Sequence, residues 1–147
     1  MAQDSGIKPL PTHLTLEIVT PDRSVVTDEV DEVEIPGADG YFGVLPGHTP
    51  LLAMLQVGEL WYRKGAEKVH LSIAFGFAEA LPDRVTILAQ LAERADEIDV
   101  ARAEAAKRRA EERMAKPAPE MDYERVRIAL MKSLIRLQVA SRARTRV

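Results

Sequence analysis

Up to about residue 91 the apolar positions recur every second residue and are interrupted by turn residues. Leu14, Leu16 and Ile18 alternate with Thr15 and Glu17 before Thr20-Pro21-Asp22 breaks the run. Val33 and Ile35 flank Glu34, and Pro36-Gly37-Ala38-Asp39-Gly40 then reads as a turn. Leu60 to Tyr62 and Val69 to Ile73 flank Arg63-Lys64-Gly65-Ala66-Glu67-Lys68, which reads as a hairpin. Val85, Ile87 and Ala89 follow a further turn at Leu81-Pro82-Asp83. Side chains of a strand point alternately to its two faces, so this spacing predicts short strands with one covered face. With no helix between them, the strands predict an antiparallel β-sandwich of two packed sheets.

The texture changes at Leu91. From Ala92 to Met114 there is no Gly or Pro, and Ala, Glu and Arg, all good helix formers, dominate. Ala103, Ala106, Ala110 and Met114 fall at helical spacing, and Asp96 and Asp99 are both candidate N-caps. Lys116-Pro117-Ala118-Pro119 breaks this helix. Asp122 is placed to cap a second one, with the stripe Tyr123, Val126, Leu130, Leu134 and Leu137. A short Pro-bearing link predicts that the two helices form an antiparallel hairpin. The expected organisation is an extension over residues 1–13, read as flexible, a sandwich over 14–91 and a helical hairpin over 92–147. An alanine stripe buries little area per residue, so the hairpin is expected to hold its neighbours weakly.

Composition narrows the picture. The chain has 147 residues, 46% hydrophobic and 29% charged, which fits a folded protein of one or two small domains. It has no cysteine, which excludes disulfides and thiolate metal sites. Residues 1–11 lack the basic-then-apolar pattern of a secretory signal, and no apolar run approaches a membrane span. Membrane association is therefore expected only through a partner. The net charge of −3 is unevenly placed. Residues 122–147 hold six arginines and one lysine against Asp122 and Glu124, a balance of +5, which leaves −8 on the rest. A basic tail on an acidic body predicts an acidic partner surface, or a solvated helix face.

No catalytic constellation is present. His13, His48 and His70 lack the spacing of a zinc site, and no Gly-x-Ser-x-Gly elbow or phosphate-binding P-loop occurs. The segment from Asp39 to Pro50 carries three glycines after Asp39 and two prolines, and reads as an irregular loop displaying Tyr41, Phe42 and Leu45. It is either an inter-sheet corner, which composition favours, or a contact platform. Arg125, Lys132 and Arg136 are seven and four residues apart and share a helix face, with Arg142 to Arg146 beyond. Nucleic acid is an unsuitable partner, because the chain is acidic overall and no stacking aromatics interleave with the cations.

Three segments carry a family resemblance: Leu14-Thr15-Leu16-Glu17-Ile18-Val19-Thr20-Pro21, Gly43-Val44-Leu45-Pro46-Gly47-His48-Thr49-Pro50-Leu51 and Ala89-Gln90-Leu91-Ala92-Glu93-Arg94-Ala95. Ile98-Asp99-Val100-Ala101-Arg102-Ala103 adds a fourth, an Ile/Leu-Asp-x-x-Arg-Ala motif. From about Leu14 to Arg142 the chain resembles the epsilon chains of bacterial rotary ATP synthases, which are non-catalytic.

That resemblance implies a sandwich seated on the gamma subunit and the ring of c subunits, coupling the proton-translocating ring to the catalytic head. Asp39, Tyr41, Phe42 and His48 would lie in this rotor contact. It implies a hairpin that folds compactly on the sandwich or extends into the head of alpha and beta subunits. Extended, it would meet an acidic loop of a beta subunit through Arg125, Lys132 and Arg136 and block ATP hydrolysis. Some relatives bind ATP on the compact hairpin as a regulatory ligand. The positions carried over are Glu93, Asp99, Arg102, Ala103, Arg109, Lys132 and Arg136, with Lys132 standing where ATP-binding relatives have arginine. Lysine lacks the planar fork, which weakens a phosphate contact there. The alternative for Asp99 and Arg102 is a helix cap and an intrahelical ion pair. No cofactor is required, and the expected place is peripheral, on the cytoplasmic face of a bacterial plasma membrane.

Overall fold

The computed structural model describes Gly6 and residues 9–144. Most of the expected N-terminal extension, Arg146 and the side chain of Arg144 lie outside the described residues. Seven strands come first: β1 (Leu14–Val19), β2 (Ser24–Val30), β3 (Glu32–Gly37), β4 (Gly40–Val44), β5 (Leu51–Lys64), β6 (Glu67–Ala80) and β7 (Arg84–Arg94). A 3-10 turn (Ala95–Glu97) leads into α1 (Val100–Ala115) and α2 (Tyr123–Arg144).

The strands form one continuous sheet, in the order β2-β1-β7-β6-β5-β3-β4, rather than two separate ones. Its two arms cover one core, to which every strand contributes, from Leu14, Leu16 and Ile18 of β1 to Val85 and Ile87 of β7. The pairing is antiparallel except where β1 lies parallel to β7. The period-two residues of the sequence are those that point inward. Lys64 and Glu67 close the expected hairpin around Gly65, whose φ of 62° suits glycine.

Two expectations are corrected. The segment after Asp39 is not all irregular, because Gly40 to Val44 pair with β3 as an ordered strand. Nor does the helical region start at Ala92. Ala92, Glu93 and Arg94 continue the β6–β7 ladder opposite Ile73, Ser72 and Leu71, so strand pairing overrides their helix propensity. The helix begins only after Asp99, whose carboxylate accepts from the Arg102 amide at 3.1 Å, and Asp96 caps nothing. Asp122 caps α2 in the same way, through the Arg125 amide at 3.2 Å.

One kink interrupts the long strands. Phe75 drops out of both ladders of β6 and takes a φ of 59°, and Gly76 follows at 123°. A Cβ at Gly76 would lie 1.9 Å from the Leu88 carbonyl oxygen, so no other residue fits there.

Candidate functional site

The hairpin is folded back on the sandwich. Residues at the end of α1 and the start of α2 line one groove, so the helices run antiparallel. Ala103 and Ala110 are buried in α1, with Ala106 and Met114 half-buried, as the alanine stripe requires. In α2 the buried positions are Val126, Ser133, Val139 and Ala140. Leu130 and Leu137 are half-buried, whereas Tyr123 and Leu134 of the expected stripe are exposed. Helix α2 packs on β5, β6 and the 3-10 turn. Its apolar seat there is small: Ile98, Val139 and Ala140, flanked by Ala95, Val100 and Ile135.

Polar contacts supply what this seat lacks. Glu59 of β5 is only 6% exposed. Its Oε1 accepts from His70 Nδ1 at 2.7 Å and Arg142 Nε at 3.1 Å. Its Oε2 accepts from Gln138 Nε2 at 2.9 Å and, at 3.5 Å, from Arg142 Nη2. A carboxylate cannot donate, so His70 carries its proton on Nδ1 in this contact. Burial pushes the Glu59 carboxyl up. The hydrogen bonds from Arg142, Gln138 and His70 outweigh that, and hold it below the ordinary carboxylate range.

A second clasp joins Arg136 to Glu93 in a two-pronged pair, Nε to Oε1 at 2.7 Å and Nη2 to Oε2 at 3.1 Å. The Lys132 ammonium stands 5.6 Å from the centre of the ring of Phe75, the residue at the kink, in a cation–π contact. Thus α2 meets the sandwich through Lys132, Arg136, Gln138 and Arg142 along its length.

The basic stripe is therefore a solvated face only in part. Lys132 and Arg136 are engaged by the sandwich, while Arg125 stays exposed beside Arg109, Arg113 and Lys116 at the far end of the hairpin. The positions carried over for ATP are spread over three elements. Glu93 lies on β7, Asp99 caps α1, Ala103 is fully buried, and Lys132 and Arg136 lie on α2. Arg102 and Arg109 are exposed, two turns apart on α1. The expected intrahelical pair of Asp99 with Arg102 is a backbone cap bond.

Of the rotor positions, Asp39 is exposed in the β3–β4 turn and Tyr41 is half-exposed. Phe42 packs against the core, and His48 Nδ1 donates to the Thr49 carbonyl at 2.6 Å. The larger apolar surface lies elsewhere. Met54, Phe77 and Leu88 pair across β5, β6 and β7, and Leu52 and Leu91 lie on the same strands, all five 49–72% exposed. Sequence reasoning missed this row and the Glu59 cluster alike. The signal for the second was a charged residue inside the apolar run Val57-Gly58-Glu59-Leu60. Among the described residues there is no metal-ligating cluster and no helix long and apolar enough to cross a membrane.

Comparison with known proteins fits this architecture. Residues 13–95 match the beta-sandwich domain of the ATP synthase delta/epsilon chain, and residues 96–141 match its long alpha-helix domain. ATP synthase epsilon chain 2 of Syntrophotalea carbinolica is 49% identical over 130 residues, 88% of this chain and 94% of that protein. The ATP synthase epsilon chain of Koribacter versatilis is 56% identical over 104 residues, 71% of this chain and 73% of that protein. A chain in the structure of the Euglena gracilis mitochondrial ATP synthase, OSCP/F1/c-ring, shares the fold. It has a TM-score of 0.78 at 24% identity, covering 98% of this chain and 88% of that one. With its sandwich and helical hairpin both matched, the chain belongs to the ATP synthase delta/epsilon family and is an epsilon-type, non-catalytic subunit of the enzyme's central stalk.

Proposed function

We propose that this subunit couples rotor to head through its sandwich and restrains ATP hydrolysis through its hairpin. The observation that carries the second part is the threefold engagement of the α2 cations by the sandwich. Lys132, Arg136 and Arg142 are held by Phe75, Glu93 and Glu59 when the hairpin is folded back. The same cations become available to an acidic loop of a beta subunit only on release. Docking and inhibition then exclude each other, which is what a switch needs. The apolar row around Met54, Phe77 and Leu88 suits a permanent seat on the gamma subunit. The β3–β4 ribbon and the turn at His48 would lie toward the c-ring, so that the chain is peripheral on the cytoplasmic face.

Arg125 gives the cleanest test, because it is exposed and takes no part in docking. Arg125→Glu in the assembled enzyme should raise ATP hydrolysis, and added salt should shrink the difference. Deleting residues 122–147 should raise hydrolysis further. Unchanged hydrolysis in both variants rejects an inhibitory hairpin.

ATP sensing is the second reading, favoured by one observation. Arg102 and Arg109 are exposed on α1, and neither has an ion-pair partner among the described residues. A polyanion beside them and Arg136 would bind the folded-back hairpin and stabilise it by mass action. Calorimetry with ATP on the purified chain decides it: Lys132→Arg should tighten binding and Arg102→Ala should abolish it. No heat and no thermal shift at millimolar ATP in wild type and Lys132→Arg rejects this reading.

A further inference from the structure

One side chain joins the surface ribbon of β3 and β4 to the clasp that holds α2. The Tyr41 hydroxyl accepts a hydrogen bond from the backbone N–H of Glu59 at 3.1 Å. The reason lies in a gap in the sheet. The β3–β5 ladder pairs Glu32, Val33 and Glu34 with Arg63, Tyr62 and Trp61, then resumes only at Gly37 opposite Leu55. Pro36 sits in that gap and has no N–H to offer a strand partner. The Glu59 amide is met there by the phenol instead. Gly58 allows the approach, since a Cβ at that position would lie 2.5 Å from both the Tyr41 hydroxyl and the Pro36 Cβ.

We propose that Tyr41 is a positioning residue for the hairpin clasp, so that a partner displacing the β3–β4 ribbon weakens the docking of α2. The carboxylate of Glu59 has to meet His70, Gln138 and Arg142 at once, and hydrogen bonds weaken steeply as distance and angle depart from their optimum. The backbone of Glu59 sets where that carboxylate stands. The Tyr41 ring is half-exposed, so one side of the same group faces whatever seats on the ribbon. Only the identity of that partner rests on the proposed rotor contact; the link itself is a property of the chain alone.

The test uses the full purified chain and the conservative substitution Tyr41→Phe, which keeps the ring and removes the hydroxyl. The readout is amide hydrogen exchange of α2 peptides spanning residues 133–143, with β6 peptides as internal reference. Loss of one hydrogen bond at a half-buried site should speed α2 exchange about three- to tenfold, with β6 exchange and the thermal midpoint unchanged. In an Arg142→Gln, Gln138→Ala background, where α2 no longer reaches the Glu59 carboxylate through these donors, Tyr41→Phe should change α2 exchange less than about twofold. Unchanged α2 exchange in the single variant overturns the proposal. So does an equal effect in both backgrounds, or equal acceleration of α2 and β6, since the hydroxyl would then act on the fold as a whole. These results leave the rotor reading untouched, which is tested separately by assembly with the gamma subunit.

Discussion

Replacing Glu59 by glutamine keeps the side chain's shape and removes its charge. In the folded-back state that carboxylate accepts from Arg142, Gln138 and His70, and it is 6% exposed. A hydrogen bond to a charged group contributes roughly 1.5–3 kcal/mol, against about 1 for a neutral one. Arg142 is 47% exposed and can turn to water once its partner is neutral, so the larger figure has to be discounted for screening. Docking should weaken by about 1–2 kcal/mol, a factor of roughly 5–30 in its equilibrium constant. The remaining contacts, Glu93 with Arg136 and the seat of Ile98, Val139 and Ala140, should still dock the hairpin part of the time. Amide exchange measures this directly. Peptides of α2 in Glu59→Gln should exchange about 5–30 times faster than in wild type, while β1, β6 and β7 peptides keep their protection. Equal protection of α2 in both proteins refutes the clasp. Loss of protection in the sheet as well as in α2 refutes it too, because Glu59 would then be stabilising the sandwich itself.

Three further outcomes are expected. Arg142 and Gln138, two of the three donors that hold the Glu59 carboxyl below its ordinary range, lie on α2, so their contribution to docking is present above the released-state value and lost as pH falls through the docked one. Exchange of α2 should therefore accelerate as pH drops through the carboxylate range, after correction for intrinsic rates, and Glu59→Gln should flatten the profile. Gly76→Ala should fail to fold or lose more than about 4 kcal/mol by thermal melting, since its Cβ meets the Leu88 carbonyl; a wild-type midpoint refutes this. A chain ending at residue 97 should melt cooperatively. One ending at Ala92 loses the pairs of Glu93 and Arg94 and the Arg94 bond to the Val25 carbonyl, about 1–2 kcal/mol, and should melt roughly 5–15 °C lower by circular dichroism.

Local spacing along the chain was enough to specify the inward face of β1, β3 and β7 and of the hairpin arms of β5 and β6, the turns at residues 20–22, 65–66 and 81–83, and the pair of helices. These features rest on periodicity and on residues such as Pro and Gly whose backbone preferences hold anywhere. Asp99 and Asp122 were legible as caps for the same reason, because a cap bond spans only three residues. Whatever depends on distant partners had to wait for the folded chain. Ala92 to Arg94 read as helix but extend β7, because β6 offers a ladder that helix propensity cannot match. The basic stripe of α2 read as a solvated face or a partner's target, and the fold turned Lys132 and Arg136 onto the sandwich. The Glu59 clasp joins residues up to 83 positions apart, and no periodicity encodes such a meeting. Local pattern fixes which face of an element is apolar; only packing brings a charge on one element to its counterpart on another.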